Sequence, residues 1–380
     1  RNKRELNFDL HKHKIIKMVI GFIFFPGQLL KYGPDLKPEF MSEIAIETTN
    51  IRKIQQSLNA SQTIIEYYYA YGNLIIWVIT AKSARSIFLE INIQELYDLV
   101  EGFRNNLKFL GSIDKLCNRL YNLLLEPLIE LITTGEITFV LHGVLHYFPM
   151  QTCLDNEGNY LIEKFVIKYL PSSSVIPFFK NHLDRDRKLL GICNPNADLR
   201  GLNNLSYATE EIDRIRVNEQ NMTLLKGDLK KTNFVEMAEE FNYIHFICHS
   251  DLDKLSPMES SLILENSLDE SDQLTLSEIT SLKLKANLVV LSACETGIGE
   301  LTGGDEVVCL SRAFLHAGAA SVIYSLWQVN DESTAFLMGR FYKYLKKNKT
   351  SEALRLAQLD TKEKYDHVFH WAPFVYTGLD

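Results

Sequence analysis

Short apolar runs alternate with amphipathic stretches towards the end of the chain, and this alternation predicts the fold class. Apolar residues at helical spacing begin near Thr209 and Thr232 and return at 306–316. Apolar runs that predict buried strands cover 189–193, 243–248, 288–293 and 321–327. Strands that alternate with helices in this way form a mainly parallel sheet with helices on both faces. We therefore predict an α/β fold.

The earlier part of the chain has a different pattern. Aromatic and β-branched residues at 65–80 predict a hairpin with Gly72-Asn73 as its turn. Apolar residues at helical spacing predict helices at 93–107 and 116–132. A short apolar strand is predicted next, at 137–141.

Two stretches rich in Pro, Gly and charged residues predict how the chain is divided. Residues 1–41 contain Pro26-Gly27 and Gly33-Pro34, which interrupt regular structure, so we expect a loop-rich lead-in. Ser, Pro and charged residues concentrate between Pro171 and Lys188, which predicts a boundary. Two parts also fit the length, since 380 residues exceed one average domain.

Charge and cysteine content exclude several classes of function. The chain has 40 Lys and Arg residues against 48 Asp and Glu, a net charge of -8, so we expect no direct binding to nucleic acid. The 6 Cys include no C-x-x-C pair, so neither a disulfide scaffold nor a zinc site is expected, and reduced thiols are typical of the cytoplasm. The longest apolar run, at 18–25, is far shorter than the roughly 20 residues of a membrane helix. We expect a soluble cytoplasmic chain, and its opening with Arg1 rather than Met fits a piece of a longer protein.

Two predicted strands end in residues that are suited to nucleophilic catalysis. His249 follows the strand at 243–248, and Cys294 follows the strand at 288–293. Reactive groups gather at the carboxyl ends of strands in such sheets, so neighbouring strands would bring the imidazole and the thiol together and raise the thiolate fraction. The backbone N–H groups of Ser250 and Cys294 would then receive the oxyanion of a tetrahedral intermediate. The spacing alone also allows the ordinary alternative, an inert buried cysteine.

The other Cys and His residues are predicted to be structural. His245 lies between apolar neighbours and is expected to be a hydrogen-bonded core residue, whereas His11 and His13 are expected to be solvated. His142 also follows a strand, but no Cys-bearing strand end accompanies it. The remaining cysteines lie in apolar segments without a positioned base, and they are Cys117, Cys153, Cys193, Cys248 and Cys309.

Four ordered motifs resemble those of the CHAT peptidases, caspase-like proteins of the caspase–separase clan. The motifs are YIHFICH at 243–249, LSACETGIGE at 291–300, RAFLHAGAASVIYSLWQVND at 312–331 and HWAPFVYTG at 370–378. LHYFP at 145–149 and YLPS at 169–172 are similar to the non-catalytic part of the family. The resemblance covers about 51–380.

The resemblance implies a caspase-like architecture and a reaction. After the lead-in at 1–46, residues 47–180 (the first half) would form a pseudo-caspase half, and residues 181–380 (the second half) the active one. Cys294 would attack the peptide bond, with His249 as general base and then acid, through an acyl-enzyme and without a metal or organic cofactor. The family usually has Gly after the catalytic His, where this chain has Ser250.

The resemblance also suggests a specificity. In separases the loop similar to WQVND provides an acidic residue that lines the pocket for a basic substrate side chain, and in this chain that residue is Asp331. Asp305 and Glu306 are an alternative acidic wall. Asp331 is also a candidate N-cap of the helix that begins there.

CHAT domains commonly lie beside sensing modules such as helical repeats, and several act in bacterial defence on a gasdermin or a CRISPR-associated partner. The resemblance therefore implies a specific protein substrate and a regulatory partner or N-terminal sensor module. Two alternatives stay open: a catalytically silent caspase-like scaffold that acts as an interaction module, and an α/β hydrolase of a small ester or amide. The second lacks a G-x-S-x-G elbow.

Overall fold

Strands from both halves of the chain enter the same sheet in the computed structural model. It describes residues 4–6, 50–70, 72–178, 186–195, 204–227, 229–253, 256–265, 273–292, 300–301 and 307–380. Apart from the strand at Arg4–Leu6, the expected loop-rich lead-in lies outside these residues.

The large sheet has 12 strands in the part of the chain that is described. In sheet order they are β1 (Arg4–Leu6), β4 (Ala84–Glu90), β3 (Asn73–Thr80), β2 (Gln62–Ala70), β5 (Glu136–Val140), β6 (Val166–Leu170), β17 (Phe374–Gly378), β16 (Ser321–Ser325), β13 (Leu288–Ser292), β9 (Tyr243–Ile247), β7 (Leu189–Cys193) and β8 (Thr223–Lys226). Strands β1 to β4 pair in antiparallel fashion, as do β16 and β17. The other neighbours are parallel.

Smaller strands and the helices surround this sheet. A second sheet contains β10 (His249–Asp251), β11 (Ser261–Ile263) and β12 (Leu274–Thr275), and β14 (Glu300–Leu301) pairs with β15 (Val307–Val308). The α-helices are α1 (Ile51–Ser57), α2 (Ile93–Lys108), α3 (Asp114–Leu124), α4 (Leu161–Lys164), α5 (Ala208–Arg216), α6 (Lys231–Met237), α7 (Leu276–Thr280), α8 (Leu310–His316), α9 (Asp331–Leu345), α10 (Thr350–Tyr365) and α11 (Val368–Trp371). Within the described residues, none of them is long and apolar enough to span a membrane.

Strand β13 shows why the central strands of the sheet have nearly continuous apolar sequences. Successive side chains of a strand point to opposite faces. Val289 and Leu291 pack with Phe314 of α8 on one face, while Leu288 and Val290 pack with the helices of the other face. All five residues of β13 are buried, so helices cover both faces, and the predicted α/β fold is confirmed.

The first half follows its pattern with two differences of detail. The predicted hairpin is β2–β3, in which Ala70 pairs with Asn73 and Gly72 has φ 75°, so Asn73 begins the strand rather than occupying the turn. The helix predicted at 116–132 is α3 followed by a 3₁₀ turn at Glu126–Leu131. Pro127 lies in the first turn of that segment, and because proline lacks an N–H it cannot continue the helix.

A buried ion network lies where the two halves join, at the β6–β17 pair. The Nζ atom of Lys168 lies 2.9 Å from Glu136 Oε2 and 3.0 Å from Asp380 Oδ2. The Lys168 side chain is 0% exposed. Burial opposes the charge of this amine, but the carboxylates of Asp380 and Glu136 outweigh it and raise the pKa of Lys168. The ammonium therefore ties β6 of the first half to the last residue after β17.

We expect Lys168→Met to destabilise the protein by about 3–5 kcal/mol, because it leaves two partly buried carboxylates without their cation. Lys364→Met is the matched control, since Lys364 and its partner Glu332 are 45% and 49% exposed, and its loss should cost at most about 1 kcal/mol. Denaturant unfolding of both variants measures the difference. Equal effects would mean that the network contributes no more than a surface pair.

Candidate active site

The two strands expected to present the catalytic residues are direct neighbours. Strands β9 and β13 pair in parallel, and Ile247 at the end of β9 is opposite Ser292 at the end of β13. His249 comes two residues after Ile247, as Cys294 comes two residues after Ser292 in the sequence. Both strands thus end at the same edge of the sheet, which is its carboxyl edge. Cys294 lies outside the described residues, as do Asp305 and Glu306.

His249 begins the small strand β10, so its backbone is fixed by a second sheet. It pairs with Ile263 of β11, and Ser250 pairs with Leu262. The side chains of His249 and Ser250 are half-buried, between the apolar core and solvent. The strand therefore holds the imidazole at the sheet edge. The oxyanion role of the Ser250 N–H stays a prediction.

A pocket opens beside these strand ends. It encloses about 320 Å³ including its solvent-filled mouth. Its walls come from the ends of β9 and β13, from α5, and from the beginning of α9; the lining residues are Leu205, Tyr207, Ala208, Glu211, Ile247, Cys248, Ser292, Val329, Asp331 and Thr334. Two of these side chains, Glu211 and Asp331, bear carboxyl groups. The predicted substrate-binding residue Asp331 therefore lines a real concavity at the strand ends.

The environment of Asp331 favours a bound cation. Burial raises the pKa of its carboxyl group, and the charge of Glu211 raises it further. A hydrogen bond from the Ser206 backbone lowers the pKa of Asp331, and so does the nearby His249. The His249 imidazole is therefore within electrostatic reach of Asp331. A positive group in the pocket would stabilise the ionised form that burial disfavours.

Asp331 is not the N-cap of its helix, contrary to the alternative role considered for it. The cap is Asn330, whose Oδ1 accepts a hydrogen bond from the Ser333 backbone N–H at 3.0 Å. Asp331 is the first helical residue. Its carboxylate is consequently not required for capping.

Glu211 is a lining residue that the sequence motifs do not predict. This residue is 3% exposed, and its Oε1 atom lies 2.9 Å from His245 Nε2. His245 Nδ1 lies 3.0 Å from the Tyr342 hydroxyl, so His245 is the hydrogen-bonded core residue that was expected. A signal for Glu211 was present in the sequence: it occupies the apolar stripe of α5 together with Ala208 and Ile215, where a charged residue requires a reason.

The remaining cysteines have the environment of inert core residues. Cys117, Cys153, Cys193, Cys248 and Cys309 are all buried. Burial raises the pKa of Cys117 to about 12 and that of Cys193 to about 11, so both thiols are protonated near neutral pH. Because the thiolate is the reactive form of cysteine, Cys117 and Cys193 are poor nucleophiles.

His142 is also unsuited to act as a base at neutral pH. Burial lowers the pKa of its imidazole to about 4. Its ring packs edge-on against Tyr68 with the centroids 4.6 Å apart. In the part of the chain that is described, no group of three or more His, Cys, Asp or Glu side chains is arranged to hold a metal ion.

This chain is similar to known proteins in sequence and, separately, in fold. Tetratricopeptide repeat protein 28 of Mus musculus is 33% identical over 112 residues, which are 28% of this chain and 4% of that protein. The Homo sapiens protein of the same name is 34% identical over 110 residues, again 28% of this chain and 4% of its own length. This chain therefore spans a small fraction of these relatives.

The solved structure of the Saccharomyces cerevisiae separase–securin complex shows the shared fold. It superimposes with a TM-score of 0.64 and 12% identity, over 98% of this chain and 33% of the other. The caspase-like architecture expected from the motifs is thus confirmed. The family model of the CHAT domain matches residues 114–379, well over half of the chain, so that the protein belongs to the CHAT domain family.

Proposed function

We propose that the protein is a cysteine endopeptidase in which Cys294 is the nucleophile and His249 the general base. The register of β9 and β13 is the observation that supports this best, because Ile247 and Ser292 are paired two residues before the two proposed catalytic residues. The position of His249 at the strand end, next to a pocket, agrees with it.

The proposed reaction has two stages. The His249 imidazole accepts the thiol proton of Cys294, and the sulfur attacks the carbonyl carbon of the scissile peptide bond. The resulting oxyanion would accept hydrogen bonds from the N–H groups of Ser250 and Cys294. Collapse breaks the C–N bond as His249 donates its proton to the leaving amine, and a water molecule activated by His249 then hydrolyses the thioester.

We propose Asp331 as the residue that binds a basic side chain just before the scissile bond. It lines the pocket beside the strand ends, it lies within electrostatic reach of His249, and its burial favours a cationic partner. A carboxylate in such a pocket selects Arg or Lys by charge-assisted hydrogen bonds. Asp305 and Glu306 remain the alternative acidic residues.

We further propose that the peptidase acts in the cytoplasm on one dedicated protein and is controlled by a sensor module built of helical repeats. The name of the relatives, tetratricopeptide repeat protein 28, supports a repeat module as neighbour. The proposed role in bacterial defence, on a gasdermin or CRISPR-associated partner, is based on the resemblance of the motifs.

Mapping of new protein termini tests the proposed function. A proteome from the host cell is incubated with the wild-type protein or with Cys294→Ala, and termini that only the wild type generates identify substrates. We expect a small set of termini that follow Arg or Lys. If the two samples are identical and a thiol-reactive peptide probe leaves Cys294 unlabelled, the protein is a scaffold instead.

Ser250→Gly tests the departure from the family pattern. If the Ser250 side chain only crowds the oxyanion site, glycine should raise kcat by less than the roughly 10²–10³ attributed to one whole donor. Glycine within a strand should also lower stability by about 0.5–1 kcal/mol. Steady-state kinetics at a temperature where both proteins are folded measures the effect. A lower kcat would mean that the hydroxyl group assists the His249 segment.

A further inference from the structure

We propose that Glu211 is a second specificity-determining carboxylate, which together with Asp331 makes the pocket selective for Arg over Lys. This inference rests on the proposed peptidase function and deepens it. Glu211 lines the pocket from α5, and Asp331 lines it from the first turn of α9. Two acidic residues on different helices therefore border one space.

The two carboxylates differ in depth. Asp331 is half-buried, whereas Glu211 is 3% exposed. A side chain that enters from the mouth of the pocket thus meets Asp331 in the more accessible position and Glu211 in the more enclosed one. Both residues line the same pocket, which is the observation that lets them act on one ligand.

A chain of buried groups holds Glu211 in place. Its Oε1 contacts His245 Nε2 at 2.9 Å, and His245 Nδ1 contacts the Tyr342 hydroxyl at 3.0 Å. His245 and Tyr342 are both 0% exposed. Because this brace engages Oε1, the carboxylate is oriented in advance, and binding a substrate requires little further ordering of the side chain.

The geometry of the two basic side chains explains the expected preference. A guanidinium group is planar and presents five N–H donors in a rigid fork, so it can donate to carboxylates on two sides at once. A lysine ammonium is a compact and strongly hydrated point charge, which pairs well with one carboxylate and must be desolvated further to reach a second. Two carboxylates at different depths therefore favour Arg.

Charge repulsion between the two carboxylates also favours the binding of a cation. Two like charges in a poorly solvated space destabilise each other, and a cation between them removes that cost. If the Glu211–His245–Tyr342 chain served the core alone, the Glu211 side chain would not need to line the pocket. The core role and the specificity role therefore make different predictions about substrates.

The experiment compares Glu211→Gln with Glu210→Gln. Glutamine keeps the shape of residue 211 and one acceptor oxygen, and it removes the charge. Glu210 is the matched control, because it is the adjacent glutamate on the same helix and pairs with Arg214 on the surface. The kcat/KM values are measured with four fluorogenic peptide amides. These differ only in the residue that precedes the coumarin group: Arg, Lys, citrulline or Leu.

We expect Glu211→Gln to lower kcat/KM for the Arg peptide by about 10- to 100-fold, the loss of one hydrogen bond to a charged group. The Lys peptide should lose much less, citrulline and Leu should be nearly unchanged, and Glu210→Gln should match the wild type. An equal loss with all four peptides, or an unchanged ratio of Arg to Lys, would overturn the role of Glu211 while leaving the peptidase intact.

A binding measurement separates this inference from the proposed function. Calorimetry with the Cys294→Ala protein, with and without Glu211→Gln, measures the affinity for uncleaved peptides that end in Arg, Lys or citrulline amide. If the wild type cleaves no peptide, the peptidase proposal fails, yet selective Arg binding that depends on Glu211 would still support the pocket. If neither Arg nor Lys binds in preference to citrulline, the Glu211 proposal is rejected.

Discussion

Replacement of Cys294 by Ala is expected to abolish proteolysis, and replacement of His249 by Ala should reduce it to a similar level. In a catalytic unit that shares one proton, removing either member disables the same step, and losses of about 10⁴- to 10⁶-fold in kcat are typical. The double variant should therefore be little worse than either single variant. Kinetics with the protein substrate found by terminus mapping measure all three.

Cys309→Ala is the control for this prediction. Cys309 is buried, and its Sγ atom lies 3.0 Å from Ser311 Oγ. We expect its replacement to leave kcat/KM nearly unchanged. Substantial cleavage by the Cys294→Ala protein would reject the cysteine mechanism, and independent, additive losses for Cys294 and His249 would reject the dyad.

The local elements of this protein were predictable because local physics determines them. The strand β13 is apolar from Leu288 to Leu291 because both of its faces are buried, and the β2–β3 hairpin is marked by Gly72 at positive φ. The identity of a helix cap was harder to predict. Asn330 and Asp331 are both good N-cap residues, and only the backbone geometry decides between them.

The order of the strands in the sheet could not be predicted from the sequence pattern. The β6–β17 pair joins segments from opposite halves of the chain, where Tyr169 pairs with Thr377, and its stability depends on partners such as Lys168 and Asp380 that no local window contains. Glu211 was missed for the same reason. Its position on the apolar stripe of α5 is a local fact, but His245 and the pocket that give it a use are brought to it by the tertiary fold.

Removal of the Asp331 carboxylate is expected to change specificity rather than chemistry. Asp331→Ala should lower kcat/KM for Arg and Lys peptides by about 10²-fold, because each loses a charge-assisted hydrogen bond in a partly desolvated pocket. Peptides with a neutral residue before the scissile bond should change little. Glu332→Ala is the control, since Glu332 lies in the same first helical turn but is exposed and accepts a hydrogen bond from Tyr365.

The preference for basic residues should also depend on pH in a way that identifies its origin. Burial, followed by the charge of Glu211, raises the pKa of Asp331, so its carboxylate is neutralised at a higher pH than that of an ordinary aspartate. The ratio of kcat/KM for Arg over Leu peptides should therefore fall as the pH falls through that raised pKa. Any pH dependence of the chemical step is common to both peptides and cancels in the ratio. In Asp331→Ala the ratio should be low at every pH; a ratio that stays high and keeps the wild-type profile would exclude Asp331 from the pocket's recognition of a cation.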